Sequence, residues 1–330
     1  MKGKVFVTGA SGFIGANLVR LLLERNYRVK ALVRKNSNLS SLQGLDLELV
    51  IGDLNDDDLS EKMQGCDYLF HVAAVYSLWQ KDKELLYKTN VFGTRNVFKS
   101  AREAGIKRIV YTSSVAAIGV REDGVLADEE YQSPVEKLIG NYKKSKYYAE
   151  QEAHFAVELG QDIVIVNPTT PIGAYDSKPT PTGEIILRFL RGKMPAFVNT
   201  GLNFIHVKDV AMGHILALEK GKAGRRYILG SQNLTLAEFL EKVAEVVGKS
   251  PPKMKLPHWL PLTIAYVDEY ILTKLGKSPS LSTEAVKMSS QYMYYNPSRA
   301  IRELGLPQTD ITLAIQEAVA WFKDYFKIQT

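Results

Sequence analysis

A tyrosine and a lysine, Tyr142 and Lys146, stand four residues apart in the run Asn-Tyr-Lys-Lys-Ser-Lys. Residues at this spacing lie on one face of an α-helix, so the two side chains can act together. An ammonium group close to a phenol favours the phenolate, which predicts a tyrosine pKa below its ordinary value of about 10. Such a tyrosine could exchange a proton near neutral pH. The alternative interpretation is a solvated pair on a helix surface.

Three glycines near the start of the chain, Gly9, Gly12 and Gly15, follow a predicted strand and open a predicted helix. In dinucleotide-binding turns such glycines allow a tight turn, a close approach to the pyrophosphate and close helix–sheet packing. The spacing is G-x2-G-x2-G rather than the G-x-G-x-x-G of the standard fingerprint. The predicted cofactor contacts in this turn also include Ser11, Phe13 and Ile14.

The choice of cofactor depends on the end of the second predicted strand, where Arg34 stands in place of the usual acid. A guanidinium suits a 2′-phosphate, so NADP(H) is preferred and NAD(H) is the other possibility. The alternative for Arg34 is a solvated charge at a strand end. Asp53 and Leu54 follow the third predicted strand, where the carboxylate can face the adenine amino group or cap the next helix.

Small and polar residues end the next three predicted strands, on the side of the sheet where open α/β folds bind ligands. The fourth strand ends in Val72, Ala73 and Ala74, which would let the cofactor lie against the backbone. The fifth ends in Thr112, Ser113 and Ser114, of which Thr112 is predicted to contact the cofactor. We favour Ser114 over Ser113 as the group that orients a substrate carbonyl, although such hydroxyls also form turns. The sixth ends in Asn167 and Pro168, predicted to line the nicotinamide.

The first 170 residues alternate short apolar runs with amphipathic stretches, which is typical of an α/β fold with a doubly wound parallel sheet of the Rossmann type. The predicted strands of this sheet span residues 4–8, 28–33, 47–51, 68–72, 108–112, 162–167 and 226–229. After Pro168 the chain becomes rich in proline and glycine, and after Thr235 it is predicted to be mostly helical. We predict a dinucleotide-binding domain over residues 1–170 and about 204–230. A smaller substrate lobe would take about 171–203 and 231–330.

Composition narrows the classes of function. The 330 residues carry a net charge of +6, but the lysines are spread along the chain, so we expect no nucleic-acid partner. The five histidines show no zinc-site spacing, so no metal is expected. The single cysteine, Cys66, is interpreted as a packing residue and fits a reducing cytoplasm. The most membrane-like stretch, 259–272, contains two acids and is too short to span a bilayer.

These motifs together resemble the extended short-chain dehydrogenase/reductase superfamily, of the NAD(P)-dependent epimerase/dehydratase kind. The matching runs are TGASGFIG, GDL, HVAA, YTSS, YKKSK, VNP and FIHVKDVAMGHILALE. Further runs are similar to the hopanoid-associated sugar epimerase and dihydroflavonol-4-reductase-like group. The resemblance implies a catalytic triad of Ser114, Tyr142 and Lys146, in which Lys146 also binds the nicotinamide ribose. It also implies a homodimer formed by the helices near 90–104 and 141–159.

The substrate is the least determined part of the prediction. Tyr76 and Trp79 follow the fourth strand and are predicted to line the substrate pocket, with core packing as the alternative. Arg191 is the best candidate for a diphosphate clamp, but no clear set of such arginines is found. The leading hypothesis is therefore NADP-dependent reduction of a ketone or aldehyde. The alternatives are a sugar or sugar-nucleotide epimerase or dehydratase and, more distantly, a non-catalytic dinucleotide sensor.

Overall fold

The computed structural model describes residues 2–275 and 282–328. Its strands are β1 (Lys4–Thr8), β2 (Arg28–Val33), β3 (Glu48–Ile51), β4 (Tyr68–His71), β5 (Arg108–Thr112), β6 (Ile163–Pro168), β7 (Thr170–Ile172), β8 (Ala196–Val198), β9 (Gly201–His206), β10 (Arg226–Leu229), β11 (Gln232–Thr235), β12 (Met254–Leu256) and β13 (Tyr292–Met293). Its α-helices are α1 (Phe13–Glu24), α2 (Leu59–Met63), α3 (Lys83–Leu86), α4 (Thr94–Glu103), α5 (Val115–Ile118), α6 (Gly140–Glu158), α7 (Pro181–Leu190), α8 (Val207–Lys220), α9 (Leu236–Val247), α10 (Trp259–Lys274), α11 (Thr283–Met288) and α12 (Ile311–Tyr325).

The central feature is a seven-stranded sheet with the order β10-β6-β5-β4-β1-β2-β3, in which every pairing is parallel. The chain reverses its direction of winding between β3 and β4, so the gap between β1 and β4 is the topological switch point. In open α/β sheets ligands bind there, beyond the carboxyl ends of the strands. All seven strands predicted for this sheet are present, with ends that differ by at most one residue. The predicted fold class is confirmed.

Alternating side chains of the buried strands supply the two faces of this sheet, as the pleat of a strand requires. In β1, Val5 and Val7 pack into one hydrophobic cluster with Leu18 of α1 and Ile215 of α8. Phe6, between them, packs into the opposite cluster with residues of α4 and α6. Cys66 is buried in the second cluster, in agreement with a packing role.

A second group of elements packs around a third cluster. Strand β9 pairs with β11, β13 and β7, and a separate pair is formed by β8 and β12. The rings of Phe204 on β9 and Phe239 on α9 stack at 4.3 Å between centroids, with Phe322 of α12 in the same cluster. Helix α9 begins with a capping box of Thr235 and Glu238, which explains its clear signal in the sequence.

Several predicted elements differ from the structure. The strand predicted near 204–207 is β9 and belongs to the smaller sheet, with Phe204 facing the third cluster and Ile205 the first. The region after Thr235 is mostly helical but also contains the short strands β12 and β13, which have too few residues to give an alternating pattern. The long helix predicted near 83–104 is α3 and α4 joined by a π-helical segment, Tyr87–Gly93. Residues 276–281, within the predicted substrate lobe, lie outside the described residues.

Candidate active site

Helix α6 carries both Tyr142 and Lys146 in its first two turns, as the spacing predicted. Lys146 is 2 % exposed, and its Nζ atom donates to the carbonyl oxygen of Thr112 at 2.9 Å. A longer bond of 3.4 Å reaches the hydroxyl of Tyr111. These contacts bring the lysine to the carboxyl end of β5, at the ligand-binding edge of the sheet.

The pKa of Tyr142 differs from the prediction. Burial raises it above the ordinary value, and a hydrogen bond with the Ser114 side chain opposes that rise. The predicted lowering by Lys146 is wrong in this structure, since the ammonium is directed to β5 instead. Burial also lowers the pKa of Lys146 to about 8, opposed by the negative charge of Glu150. The lysine therefore loses its charge at a pH that is only slightly above neutral.

Ser114 lies at the start of the short helix α5, where its hydroxyl accepts a hydrogen bond from the amide of Ala116 at 3.1 Å. Its own carbonyl oxygen accepts from the side-chain amide of Asn167 at 3.0 Å. The same amide donates to Glu150 at 2.8 Å, and Asn167 is fully buried. Asn167, predicted to line the nicotinamide, thus holds the Ser114 backbone in place, while Pro168 follows it as the buried end of β6.

A buried ion pair supports this arrangement and was not predicted from the sequence. Arg226 of β10 contacts Glu150 of α6 at 2.9 Å, with 13 % and 1 % of the two side chains exposed. The guanidinium also donates to the carbonyl oxygens of Glu129 and Tyr131. Glu150 stands four residues after Lys146, so its place on the same helix face was visible in the sequence. Its partner on a strand 76 residues later was not.

Two buried, neutral histidines form hydrogen bonds with threonine hydroxyls at the ends of central strands. His71 bonds through Nδ1 to the Thr8 hydroxyl at 2.7 Å and through Nε2 to Thr94 at 2.9 Å. His214 bonds to the Thr112 hydroxyl at 2.8 Å. Burial lowers the pKa of His71 to about 3 and that of His214 to about 4. Thr112, predicted to contact the cofactor, is therefore engaged through its side chain with His214 and through its carbonyl with Lys146.

The glycine turn approaches the backbone as closely as a dinucleotide site requires. Gly9 has φ of +73°, and a Cβ atom there would lie 2.6 Å from the amide nitrogen of Ala73. A Cβ atom on Gly15 would lie 2.1 Å from the carbonyl oxygen of Gly9. Ser11 also contacts the neighbouring loop, through the hydroxyl of Ser41. Strand β4 leads into Val72, Ala73 and Ala74, so the end of β4 meets the glycine turn at the switch point.

The amino terminus of α1 suits a phosphate. Gly12 precedes the helix, no side chain of the described residues caps it, and its first turn holds no acid. Unpaired amide groups and the helix dipole attract anions at such an end. Phe13 and Ile14 form the first turn, and Ile14 packs on the core beneath it. The residues present therefore fit a dinucleotide, and they would hold its pyrophosphate at this turn.

The two residues predicted to contact the adenosine half of the cofactor, Arg34 and Asp53, have different surroundings. Arg34 is exposed just after β2, and its amide donates to the Ser37 hydroxyl at 3.1 Å. Within the described chain no carboxylate forms an ion pair with it. Asp53 accepts hydrogen bonds from the amide and side chain of Asn55, and Leu54 beside it is buried. Asp58 stands before α2, so the alternative of Asp53 as a helix cap is wrong.

Tyr76 lies against the catalytic candidate. Its ring centroid is 4.6 Å from that of Tyr142, at an angle of 63°. The ring is 44 % exposed, while burial around the hydroxyl raises the pKa of Tyr76. Asn90, in the π-helical segment, exchanges two hydrogen bonds with Val75 and donates a third to Ser145. It therefore holds the loop that carries Tyr76 against α6.

The other two substrate candidates are less well placed. Trp79 follows in the same loop, where its amide donates to the Ser77 hydroxyl and Lys81 lies over its ring. Arg191 ends α7, is exposed, and stacks over Phe326 at 5.7 Å from the ring centroid. In the described part of the chain no contact joins Arg191 to Tyr76 or Tyr142.

Two kinds of feature, a metal-binding cluster and a membrane-spanning helix, are absent from the described residues. Residues 2–275 and 282–328 contain no cluster of three or more potential metal-ligating side chains. Over the same ranges, every helix is too short or too polar to cross a bilayer.

A protein family and several individual proteins are similar to this chain over most of its length. The model of the NAD dependent epimerase/dehydratase family matches residues 5–230. A protein of Synechocystis sp. named "Putative dihydroflavonol 4-reductase" is 60% identical over 98% of this chain and 96% of its own length. Sterol demethylase protein B of Methylococcus capsulatus is 34% identical over 96% of this chain and 98% of its own. The crystal structure of gox2253 superposes with a TM-score of 0.88 at 44% identity, covering 99% of this chain and 100% of the other.

Proposed function

The chain belongs to the NAD dependent epimerase/dehydratase family, and within it we propose an NADPH-dependent reductase of ketones or aldehydes. The observation that carries this proposal is the bond from Lys146 to the Thr112 carbonyl, which brings the helix with Tyr142 to the strand end followed by Ser114, together with a glycine turn fitted to a dinucleotide. The full-length similarity to a protein named for a 4-reductase supports the direction of the reaction.

The residues have separate tasks in this proposal. When bound, the reduced nicotinamide supplies the hydride that adds to the carbonyl carbon of the substrate. Tyr142 donates its phenolic proton to the carbonyl oxygen, which becomes the hydroxyl of the alcohol product. Ser114 donates to that oxygen beforehand and orients it. Lys146 binds the ribose hydroxyls through its ammonium group, and the tyrosinate regains a proton from solvent.

The walls of the site favour a substrate with an apolar body. Tyr76 lies against Tyr142, and Trp79 stands in the same loop. Aromatic rings bind flat apolar or aromatic groups through area and stacking. Arg191, the candidate for a diphosphate clamp, packs on Phe326 instead of facing these rings. This combination argues for a small carbonyl compound rather than a nucleotide sugar.

The second candidate function is an epimerase or dehydratase that acts on a sugar. The same serine, tyrosine and lysine could oxidise a substrate and return the hydride to the same molecule. The description of the matching family favours this alternative. A non-catalytic dinucleotide sensor would not require Tyr142 and Lys146 at the candidate site.

The amount of cofactor consumed separates the two enzymes. Wild-type protein would be mixed with NADPH and a panel of aromatic and aliphatic carbonyl compounds, and absorbance of the reduced nicotinamide followed together with the alcohol formed. A reductase consumes one NADPH for each alcohol. Absence of consumption with every compound, and product formation from sugar nucleotides with retained cofactor, would establish the epimerase instead.

Three finer features belong to the same proposal. Exposed Arg34 supports a preference for NADP(H) over NAD(H). Phe92, Phe155 and Leu159 are 52%, 57% and 51% exposed on the helices expected at a homodimer interface. Such an apolar surface is consistent with a dimer, which light scattering would test. We place the protein in the cytoplasm, where its reduced cysteine and its cofactor agree with the compartment.

A further inference from the structure

The outward face of α10 is apolar, which is the reverse of the usual orientation of a surface helix. Trp259, Tyr270 and Leu275 are 65%, 63% and 64% exposed. They share one face with other exposed residues at helical spacing, and we call this set the α10 face. Its members are Trp259, Thr263, Ile264, Tyr266, Val267, Tyr270, Ile271, Lys274 and Leu275. The opposite side supplies the contact with the fold, where Ala265 is fully buried.

Lysines outnumber acids around this face. Lys274 lies over the ring of Tyr270, and Lys287 of α11 lies near the ring of Tyr266. Two more exposed lysines lie before the helix, Lys253 just ahead of β12 and Lys255 within that strand. Of the two acids of α10, Asp268 stands four residues after Ile264 and borders the α10 face, whereas Glu269 accepts hydrogen bonds from Thr283 of α11. Among the described residues, the charges at and around the α10 face therefore sum to a positive value.

The composition distinguishes two kinds of partner. Protein interfaces are poor in lysine at their centres. A face that combines tryptophan, tyrosine and aliphatic residues with flanking lysines is typical of a helix lying in the boundary between lipid headgroups and acyl chains. Long lysine side chains can reach phosphates while their stems cover apolar surface.

We propose that the α10 face docks this protein peripherally on an anionic lipid bilayer. The aromatic and aliphatic residues enter the headgroup region, and the four lysines contact lipid phosphates. The docked helix is close to the candidate active site, because α10 packs on α11, and Glu284 of α11 lies against Gly140, two residues before Tyr142. Docking does not depend on which reaction the site performs.

Binding to vesicles tests this proposal directly. Full-length protein would be sedimented with phosphatidylcholine vesicles that either contain or lack phosphatidylglycerol, at low and high salt. We expect binding to the anionic vesicles, weakened by salt, with a blue shift of Trp259 fluorescence that Trp259→Phe removes. Removal of one lysine charge, as in Lys255→Gln, should weaken binding about fivefold.

A matched pair of variants separates the α10 face from exposed apolar residues in general. Tyr270→Ser combined with Ile271→Ser should abolish vesicle binding without changing the thermal midpoint of unfolding. Leu313→Ser, which alters a 45% exposed residue of α12, should leave binding unchanged. The proposal is overturned if the wild-type protein ignores anionic vesicles. It is equally overturned if light scattering shows that the double variant dissociates a dimer, because a second copy would then cover this face.

Discussion

The Lys146 ammonium donates a hydrogen bond to the main-chain carbonyl oxygen of Thr112, with 2.9 Å between the two atoms. This bond joins the second turn of α6 to the carboxyl end of β5. One turn earlier on the helix stands Tyr142, and two residues beyond the strand end stands Ser114, whose side chain opposes the rise in the pKa of Tyr142. A buried lysine thus sets the relative position of the two groups that are proposed to handle the substrate oxygen.

The position of Lys146 makes activity sensitive to alkaline pH. Burial lowers its pKa to about 8, so the ammonium is present below that pH and is lost as the pH rises through it. We expect kcat/KM for NADPH to fall as the pH increases past about 8, since this parameter reports groups of the free enzyme. Lys146→Arg, which stays protonated, should remove the decline. A profile for wild-type protein that stays flat through this region would contradict the assignment.

Arg34 should determine the preference for NADPH. A hydrogen bond to a charged group contributes about 1.5–3 kcal/mol, so Arg34→Ser should weaken NADPH binding roughly tenfold to hundredfold and leave NADH binding nearly unchanged. Titration of both cofactors by fluorescence measures this. Arg102→Ser, which removes an exposed charge on α4, is the control. Equal losses for the two cofactors would show that Arg34 does not read the 2′-phosphate.

Two adjacent arginines offer a matched test of the buried ion pair. Arg226 pairs with Glu150, which is 1 % exposed, whereas Arg225 pairs with Glu303 at the surface. Arg226→Leu leaves a buried carboxylate without its partner and should lower the free energy of unfolding by about 3–5 kcal/mol. Arg225→Leu should lower it by at most about 1 kcal/mol. Chemical denaturation measures both, and similar values for the two variants would refute a special role for the buried pair.

The close approach at the glycine turn predicts an unusual effect of alanine. In a helix, glycine to alanine normally stabilises by about 1 kcal/mol. At Gly15 the added Cβ would lie 2.1 Å from the Gly9 carbonyl, so Gly15→Ala should destabilise the fold and abolish cofactor binding. At Gly12 the corresponding distance is 3.3 Å, and Gly12→Ala should be far better tolerated by the fold. Thermal melts of the two variants check this, and a stable Gly15→Ala would contradict the structure.

Most of the framework was predictable from the sequence because the buried parallel strands are continuous apolar runs. The runs around Val5 and Val110 read directly as strands of the main sheet. The short strands β12 and β13 were missed, since two or three residues carry no periodic pattern. The π-helical segment around Asn90 was also missed, because its hydrogen bonds to Val75 and Ser145 come from tertiary contacts.

The orientation and pKa of the site residues were harder to predict from the sequence than which residues form the site. The spacing of Tyr142 and Lys146 placed both on α6 but could not show which way the ammonium points. Its direction depends on the Thr112 carbonyl, 34 residues away. The burial that raises the pKa of Tyr142 likewise depends on packing around the helix. Nothing in the sequence distinguishes Arg226 from other strand residues, because its pairing with Glu150 arises only in the fold.

The role of Tyr142 as proton donor is tested by a single-turnover comparison of wild-type protein with Tyr142→Phe, using NADPH and a carbonyl compound that the wild type reduces. We expect the variant to bind NADPH with unchanged affinity, because the lost hydroxyl faces the substrate oxygen. Its rate of NADPH oxidation should fall about 100-fold to 10,000-fold, the usual contribution of a general acid. Turnover by Tyr142→Phe at the wild-type rate would show that another group donates the proton.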